Sequence, residues 1–283
     1  METEKLFYLF SIDLEEINYD AVNSTIFQER TVKMVSKLLD YLEQKRMKIT
    51  FFVVGQTARN HPDLIKEISL KGHEIACHSD KHIELDKMSV QEFRDDLDRN
   101  LESLVKFSKN PIQGYRAPMA SLSQKTSWVY SILQQYGFTY SSSVIPANNP
   151  LHGWKEFGKT FKKIDNIWEL PITLINLLFF QVPVSSGIYF RLIPKFVQTL
   201  YWRNAKKNKR IGLGYIHPYD IDEEEAYQVF PRFKHLPLIS HLMYLNRHTI
   251  FPKLEVIFKS GYKATPYSNF VTYYLETRNG KLP

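Results

Sequence analysis

Segments with the apolar pattern of strands alternate with segments of helical periodicity along most of this chain, and no other sequence feature constrains its fold as strongly. Residues 6–12 form a short apolar run of the strand type, and the apolar residues between Val35 and Leu42 recur at helical spacing. Residues 49–54 are again β-branched and aromatic. This repeated order of strand, helix and strand predicts an α/β fold built on a largely parallel sheet.

Residues that cap or break helices mark further elements. Ser89 and Glu92 form a capping box that opens a helix, and the apolar stripe of this helix continues to Phe107. Similar signals predict helices over 62–72 and 124–136, and strands over 74–77, 112–116, 167–174 and 211–217. The interval 148–165 is the least regular and predicts a long loop. Because no repeat, low-complexity tract or flexible linker is found, we expect residues 1–283 to form a single domain.

Composition limits the kinds of site that the chain can build. The single cysteine, Cys77, excludes an intrachain disulfide and a zinc site built on paired cysteines, so a metal would need histidine and carboxylate ligands. The net charge of +7 favours anionic partners such as nucleic acid, an anionic membrane face or a phosphorylated substrate, without choosing among them. We find no secretion signal and no apolar stretch of the roughly 20 residues that span a bilayer, and we therefore expect a cytoplasmic protein.

Acidic and histidine side chains recur where predicted strands end. Asp13 and Glu15 close the first strand, and residues two apart in a strand point to the same side. His78 and His82 follow the strand 74–77, and a helical turn there would direct both imidazoles at one ion. A carboxylate beside two imidazoles completes a facial triad that leaves positions open for water and substrate, and the Asp13–Glu15 pair can supply it.

These motifs resemble those of the polysaccharide deacetylase family, also called the NodB-homology or carbohydrate esterase family four group. The matching segments follow in the family's order: the acidic pair Asp13 and Glu15, the histidine pair His78 and His82, Arg-x-Pro at Arg116 and Pro118, and a strand that ends at His217. The segment 187–194 and the His-Pro-Tyr-Asp sequence at 217–220 are similar to a cytoplasmic sub-branch associated with bacterial exopolysaccharide and O-antigen biosynthesis. The resemblance implies a distorted (β/α) barrel.

The resemblance also implies the catalytic residues. Asp13 is the expected base, with Arg116 to orient it, and His217 is the expected acid that protonates the leaving amine. The backbone N–H of Met119, after Pro118, is expected to stabilise the oxyanion of the tetrahedral intermediate.

By the same resemblance, the metal ligands are Glu15, His78 and His82, and the expected cofactor is a divalent metal ion, zinc by preference. Tyr189 and Asp220 are expected to lie near the substrate. Such an ion polarises an amide oxygen and lowers the pKa of water, which the weak electrophilicity of an amide requires.

The chain departs from the family pattern at one position. The family has an acidic residue near the segment 137–143, where it orients the catalytic histidine, whereas this chain has Ser141. The partner of His217 is therefore open, and Asp220 and Asp222 are the alternatives.

The expected function is metal-dependent deacetylation, or deformylation, of an amino sugar that is nucleotide-linked, lipid-linked or part of an oligosaccharide, with no nucleic acid partner. Two alternatives are an amidohydrolase on a small non-sugar amide and an inactive barrel that binds glycolipid or membrane. The aromatic segment up to Trp202, followed by basic residues from Arg203 to Arg210, fits a peripheral membrane contact. A core helix with a solvated basic end fits this pattern as well.

Overall fold

The computed structural model of the protein describes residues 6–16, 24–148, 152–177, 180–227 and 237–276. Its strands are β1 (Leu6–Leu14), β2 (Thr50–Val53), β3 (Glu74–Cys77), β4 (Gly114–Tyr115), β5 (Tyr140–Ser141), β6 (Lys162–Ile164), β7 (Ile167–Glu169), β8 (Leu174–Leu177), β9 (Phe180–Pro183), β10 (Gly212–Ile216) and β11 (Tyr262–Ala264). Nine of them form one sheet in the order β10-β1-β2-β3-β4-β5-β7-β6, and β11 pairs with β1. The strands β8 and β9 form a separate antiparallel pair.

The long strand β1 lies between β10 and β2 in the parallel part of the sheet. Ile12 is in register with Phe51 of β2 on one side and with Ile216 of β10 on the other. The pairs from β10 to β7 are all parallel, and only β6 runs antiparallel to its neighbour. Parallel pairing places the carboxyl ends of these strands, and the residues that follow them, at one end of the sheet.

Irregular segments continue the curvature of the sheet between its two edges. Ile172 donates its backbone N–H to Val144, and Val184 donates to Thr173. Tyr215 of β10 in turn donates to Ser185. This curled, partly irregular arrangement agrees with the α/β fold and distorted barrel predicted from the sequence.

Helices surround the sheet and bury apolar residues against it. They are α1 (Ser24–Gln44), α2 (Gly55–Asn60), α3 (Pro62–Leu70), α4 (Val90–Val105), α5 (Val129–Gln135), α6 (Gly187–Leu192), α7 (Lys195–Lys207), α8 (Pro237–Leu242), α9 (Ile250–Lys259) and α10 (Tyr267–Phe270). The capping box of Ser89 and Glu92 opens α4 as predicted, with both reciprocal hydrogen bonds present. Phe93, Leu97 and Leu104 of this helix are fully buried. No helix among the described residues is long and apolar enough to cross a membrane.

The structure corrects four details of the sequence analysis. The segment from His78 to His82 is an irregular loop and not a helical turn. The predicted strand 167–174 is interrupted at Pro171, which cannot donate to a strand ladder. The predicted helix 124–136 divides into a short 3₁₀ turn and α5. The predicted loop 148–165, of which 149–151 lie outside the described residues, contains the edge strand β6.

Candidate active site

The acidic pair at the end of β1 lies in the interior of the protein. Asp13 is 4% exposed and Glu15 is 9% exposed. β2 and β10 flank β1 up to this point, and only a small part of each side chain is exposed to solvent. Burial of charged groups without partners is unfavourable, and the residues around them supply those partners.

Glu15 forms a cluster with the two histidines of the loop after β3. One ligand atom from each of Glu15, His78 and His82 can be chosen so that all lie within 4.8 Å of one another. Glu15 Oε2 lies 2.5 Å from His82 Nε2 and 4.0 Å from His78 Nε2. The two imidazole rings meet edge to face, with centroids 5.0 Å apart.

Left-handed backbone conformations bring the two histidines together in the absence of a helical turn. The φ angles are 64° at Ser79 and 56° at His82, a region that non-glycine residues rarely adopt. The Ser79 hydroxyl accepts the backbone N–H of His82 at 2.9 Å. Strain of this kind persists only where the surroundings determine the conformation, and it is frequent at functional sites.

Helix α4 holds this loop through two buried polar side chains. Asn100 donates from Nδ2 to the carbonyl of Ser79 at 2.5 Å and to the carbonyl of Val53 at 3.0 Å. Asp96 accepts the backbone N–H of Asp80 at 2.9 Å. The loop is therefore fixed to α4 and to the end of β2, which positions both imidazoles.

Arg116 holds Asp13 from the opposite side. Its Nη1 donates to Asp13 Oδ1 at 2.5 Å and to Ser11 Oγ at 2.8 Å. Its remaining nitrogens donate to the carbonyl and hydroxyl of Ser142 and to the hydroxyl of Tyr267. The guanidinium also lies 4.0 Å from the centre of the Phe52 ring. These contacts leave one oxygen of Asp13 available, and this oxygen is 3.9 Å from His78 Nε2.

Hydrogen bonding also determines which nitrogen of His78 faces the cluster. His78 Nδ1 is 2.8 Å from the backbone carbonyl of Arg116, which can only accept, so Nδ1 carries the proton and Nε2 is the free acceptor. Burial lowers the pKa of His78 to about 4, which keeps the ring neutral. A neutral imidazole whose other ring nitrogen donates to a carbonyl is the form that binds metals.

The segment after Arg116 is strained and internally supported. Met119 and Ala120 have φ angles of 54° and 50°. The backbone N–H of Ala117 donates to Ser143 Oγ at 2.8 Å. The structure thus places Pro118 and Met119 in a fixed turn at the same end of the sheet as Arg116.

Ser141, where the chain departs from the family pattern, belongs to a buried network away from His217. Its hydroxyl is 2.7 Å from that of Ser143, and Glu169 Oε1 accepts the backbone N–H of Ser143 at 2.7 Å. Burial raises the pKa of Glu169 despite these hydrogen bonds. Ser141 and Glu169 therefore support the turn after Arg116.

Asp220 is the partner of His217. Asp220 Oδ2 lies 2.9 Å from His217 Nδ1 and accepts the backbone N–H of His217 at 2.9 Å. Asp222, the other alternative, forms an ion pair with Arg30 instead. With Nδ1 engaged, His217 directs Nε2 toward the cluster, 3.5 Å from Glu15 Oε1.

The charges of the site shift the pKa values of its members in opposite directions. Burial alone would raise the pKa of Glu15, but His82 and His217 outweigh it and hold that pKa well below its usual range. Burial alone would lower the pKa of His217, whereas the carboxylates of Glu15 and Asp220 raise it to about 9. Glu15 is thus an anion in contact with imidazole nitrogens.

The donor set fits a divalent cation. Glu15 Oε2 is buried and takes no hydrogen bond, although two imidazole Nε2 atoms approach it. One carboxylate and two imidazoles on one side, with open positions opposite, are typical of catalytic zinc and other divalent sites. Glu15, His78 and His82 are the residues that would hold such an ion.

Tyr267, Arg191 and Tyr219 lie around the site but were not among the expected site residues. Tyr267 follows β11 and reaches Arg116, and Arg191 of α6 forms an ion pair with Asp220. Tyr219 stacks on His217 with ring centroids 4.6 Å apart. Tyr189, expected near the substrate, lies on α6 and is 41% exposed.

Comparison with known proteins agrees with this architecture. The family model for polysaccharide deacetylases matches residues 19–141, and a model named domain of unknown function DUF3473 matches residues 142–268. The chain contains a polysaccharide deacetylase domain over the residues of the first match. Among curated relatives of the family, a peptidoglycan-N-acetylglucosamine deacetylase from Bacillus cereus is 32% identical over 112 residues, which are 40% of this chain and 38% of that protein. A chitooligosaccharide deacetylase from Bradyrhizobium is 38% identical over 60 residues, which are 21% of this chain and 27% of that protein. The matched segments thus span well under half of these relatives.

Solved structures extend the likeness to the whole fold. A protein from Mycobacterium smegmatis that is assigned to the polysaccharide deacetylases superposes on this chain with a TM-score of 0.63 and 19% identity. The superposition covers 99% of this chain and 94% of that one. An allantoinase superposes with the same TM-score of 0.63 and 12% identity, over 98% of this chain and 92% of that one. At these identities the likeness shows a shared fold, and two different reactions are named among its members.

Proposed function

We propose that the protein hydrolyses the amide of an N-acylated amino sugar, with a divalent cation as cofactor. One observation carries the proposal: a carboxylate held by an arginine and a histidine held by a carboxylate lie on either side of the cluster of Glu15, His78 and His82. The Asp13 oxygen that faces the cluster is 3.9 Å from His78 Nε2, and His217 Nε2 is 3.5 Å from Glu15 Oε1. A base and an acid flanking a metal site are what amide hydrolysis requires.

The two side chains divide the proton transfers between them. Asp13 takes a proton from the attacking water, whose oxygen forms the new bond to the carbonyl carbon. His217 gives the proton on Nε2 to the nitrogen as the carbon–nitrogen bond breaks, so that the products are a free amine and a carboxylic acid. Arg116 keeps Asp13 oriented, and the turn at Pro118 and Met119 supplies the backbone N–H for the oxyanion.

A divalent cation, zinc by preference, would supply the positive charge that polarises the amide oxygen and lowers the pKa of the attacking water. Glu15, His78 and His82 would hold it. The protein fixes the positions of the two histidines: His78 by the carbonyl of Arg116, and His82 by the loop that α4 supports.

The names of the curated relatives support this substrate class. The two curated relatives are named as deacetylases of peptidoglycan and of chitooligosaccharide. Both of these carbohydrates contain N-acetylated glucosamine residues. The alternative of a small non-sugar amide has support only from the shared fold of the allantoinase. An inactive barrel is disfavoured because both the acid and the base retain their buried partners, Asp220 and Arg116.

The decisive experiment is a deacylation assay on purified protein loaded with zinc, in which released acetate and formate are measured separately. The panel contains N-acetylglucosamine oligomers, nucleotide-linked and polyprenyl-linked N-acetylated amino sugars, and allantoin as the small amide. Release of acetate or formate from a sugar, abolished by Asp13→Asn, supports the proposal. Turnover of allantoin alone, or no turnover of any substrate by metal-loaded protein, would overturn it.

Helix α7 supports a further proposed property, a peripheral contact with an anionic membrane face. Trp202 packs in the core, whereas Phe196 and Leu200, one helical turn apart, are 67% and 62% exposed. Basic side chains continue from the same helix: Arg203, Lys206, Lys207, Lys209 and Arg210, all exposed. Each lysine or arginine near an anionic leaflet contributes about 1 kcal/mol, and such leaflets face the cytoplasm. This arrangement suits a lipid-linked substrate and a cytoplasmic location.

Vesicle sedimentation tests this contact. The protein should co-sediment with vesicles that contain anionic lipid and should be released as ionic strength rises. Replacing Lys206, Lys207, Lys209 and Arg210 with Gln should weaken sedimentation and leave turnover of a soluble substrate unchanged. The matched control replaces the exposed lysines Lys66, Lys106, Lys109 and Lys125 with Gln, which removes the same charge from other surfaces. Equal weakening in both variants would contradict a role for α7.

A further inference from the structure

Arg191 is a buried cation on α6, within the segment 187–194, and no role was predicted for it from the sequence. Its side chain and that of Asp220 are both fully buried, and Arg191 Nε lies 2.7 Å from Asp220 Oδ1. The other oxygen of the same carboxylate, Oδ2, accepts from the backbone and Nδ1 of His217. One oxygen of Asp220 therefore faces Arg191 and the other faces His217.

Arg191 is itself held at a fixed position. Its Nη1 donates to the carbonyls of Met243 and Leu245 at 2.8 and 2.9 Å. From α9, the buried Lys253 donates to the carbonyls of Phe190 and Arg191 at 2.8 and 2.6 Å, and this satisfies the carboxyl end of α6. The carbonyls of Met243 and Leu245 thus fix the guanidinium, and α9 fixes the backbone of α6 that carries it.

A purely structural role accounts poorly for this arrangement. Lys253 and Arg191 are both cations, and burial with the charge of Arg191 lowers the pKa of Lys253 to about 8. Replacing a buried ion pair by apolar side chains is often neutral or stabilising, so a stable core does not need these charges. These charges are needed if the Asp220 carboxylate must stay ionised and keep a fixed orientation.

On the basis of the proposed deacylation, we infer that Arg191 is a positioning residue for the acid half of the site, directing Asp220 at His217 Nδ1. With Nδ1–H donated to Asp220, Nε2 points at the leaving nitrogen and delivers the proton there as the carbon–nitrogen bond breaks. The electron pair of that bond stays on the nitrogen, and Arg191 transfers nothing. The base half, Asp13 with Arg116, is arranged in the same way on the other side.

Arg247 provides a matched control. It is similarly buried and forms an ion pair with Glu225 at 2.6 Å. It also donates to the carbonyl of Met243, which Arg191 contacts as well, and to the carbonyl of Asp222. Arg247→Met therefore removes a comparable buried ion pair in the same neighbourhood without touching Asp220.

The experiment compares two leaving groups on zinc-loaded, full-length protein. Wild type, Arg191→Met, Arg191→Lys and Arg247→Met are assayed for kcat and KM on an N-acetylglucosamine oligomer and on 4-nitrophenyl acetate. A nitrophenolate leaves without a proton, whereas an amine must be protonated. Arg191→Met should lower kcat on the amide about 10²-fold, the usual effect of a mispositioned catalytic group, with the ester rate within about 3-fold and KM little changed. Arg191→Lys should recover part of the loss, and Arg247→Met should affect both substrates equally.

A second measurement is independent of turnover. Nitrogen-15 NMR of the histidine rings should show the hydrogen bond from Nδ1–H of His217 to Asp220 in wild type and in Arg247→Met, and its loss in Arg191→Met. If Arg191→Met does not fold, Asp220→Asn breaks the same link with little change in volume and should give the same two results. Equal losses on amide and ester, or an unchanged hydrogen bond at His217 Nδ1, overturn the inference while the proposed function stands. Wild type without activity on the amide instead overturns the proposed function.

Discussion

Removing the guanidinium of Arg116 should destabilise the protein more than removing any surface charge. Arg116 is buried, and its nitrogens make five hydrogen bonds, one of them at 2.5 Å to Asp13. Arg116→Met preserves the contact with the Phe52 ring but leaves the Asp13 carboxylate buried without its cation. Loss of one partner of a buried ion pair costs about 3 to 5 kcal/mol of stability. The free energy of unfolding should therefore fall by about that amount.

The measurement is urea unfolding of metal-free protein, followed by tryptophan fluorescence, for Arg116→Met, Asp13→Asn and the double variant. The double variant should be more stable than Arg116→Met alone by about 1 to 3 kcal/mol, because it leaves no unpaired buried charge. Lys33→Met is the control: Lys33 pairs with Glu224 at 2.6 Å, both are more than half exposed, and the loss should not exceed about 1 kcal/mol. A loss for Arg116→Met no larger than that of Lys33→Met would refute this interpretation of the Arg116–Asp13 pair.

Three further predictions concern the metal, the base and pH. His78→Ala and His82→Ala should each lose zinc, as measured by elemental analysis, and chelation should abolish turnover; full activity of metal-free protein would contradict both. Asp13→Asn should keep zinc and lose about 10² to 10⁴ in rate, whereas loss of zinc by Asp13→Asn and its retention by Glu15→Gln would show that the two roles are exchanged. Burial lowers the pKa of His73 to about 4 from 6.5. Between pH 4 and pH 6.5 the unfolded chain therefore binds a proton at His73 and the folded protein does not. The free energy of unfolding should fall by up to about 3 kcal/mol as pH drops from 6.5 to 4. The fall should be smaller in His73→Asn. Urea unfolding midpoints of both proteins at pH 7 and pH 4.5 measure the difference.

The parallel sheet and the chemistry at its strand ends could be predicted because both depend on local sequence. The strand 74–77 was predicted with the bounds that the structure shows, and Asp13, His78 and His217 each follow or end a strand of strong apolar pattern. Parallel pairing then brings their side chains to one end of the sheet without further information. The capping box at Ser89 is local in the same sense, since three residues separate its members.

Other features depend on contacts between residues far apart in sequence or on unusual backbone angles. The approach of His78 and His82 comes from left-handed residues that α4 fixes, and their spacing alone indicated a helical turn instead. Tyr267 lies 151 residues from Arg116, and no local pattern indicates that its hydroxyl meets the guanidinium. The sequence also could not show that Asp220, and not Asp222, is the partner of His217. Asp222 forms an ion pair with Arg30 on α1, which is far away in sequence.

The proposed site draws on residues before position 142 and on the section that the DUF3473 model matches, which gives that section a part in the proposal. The proposed base, Asp13, and the three metal-binding candidates lie before residue 142, whereas His217, Asp220 and Arg191 lie within residues 142–268. β10 joins the two sets because it pairs with β1 along residues 8–12, and this register places His217 directly beyond the strand that flanks Asp13. Residues before position 142 alone would keep the proposed base and metal site but would lack a proton donor for the amine, and Arg116 would lose the hydroxyl of Tyr267. Amide hydrolysis needs that donor more than ester hydrolysis does, so the later section is where selectivity for an amide would be built.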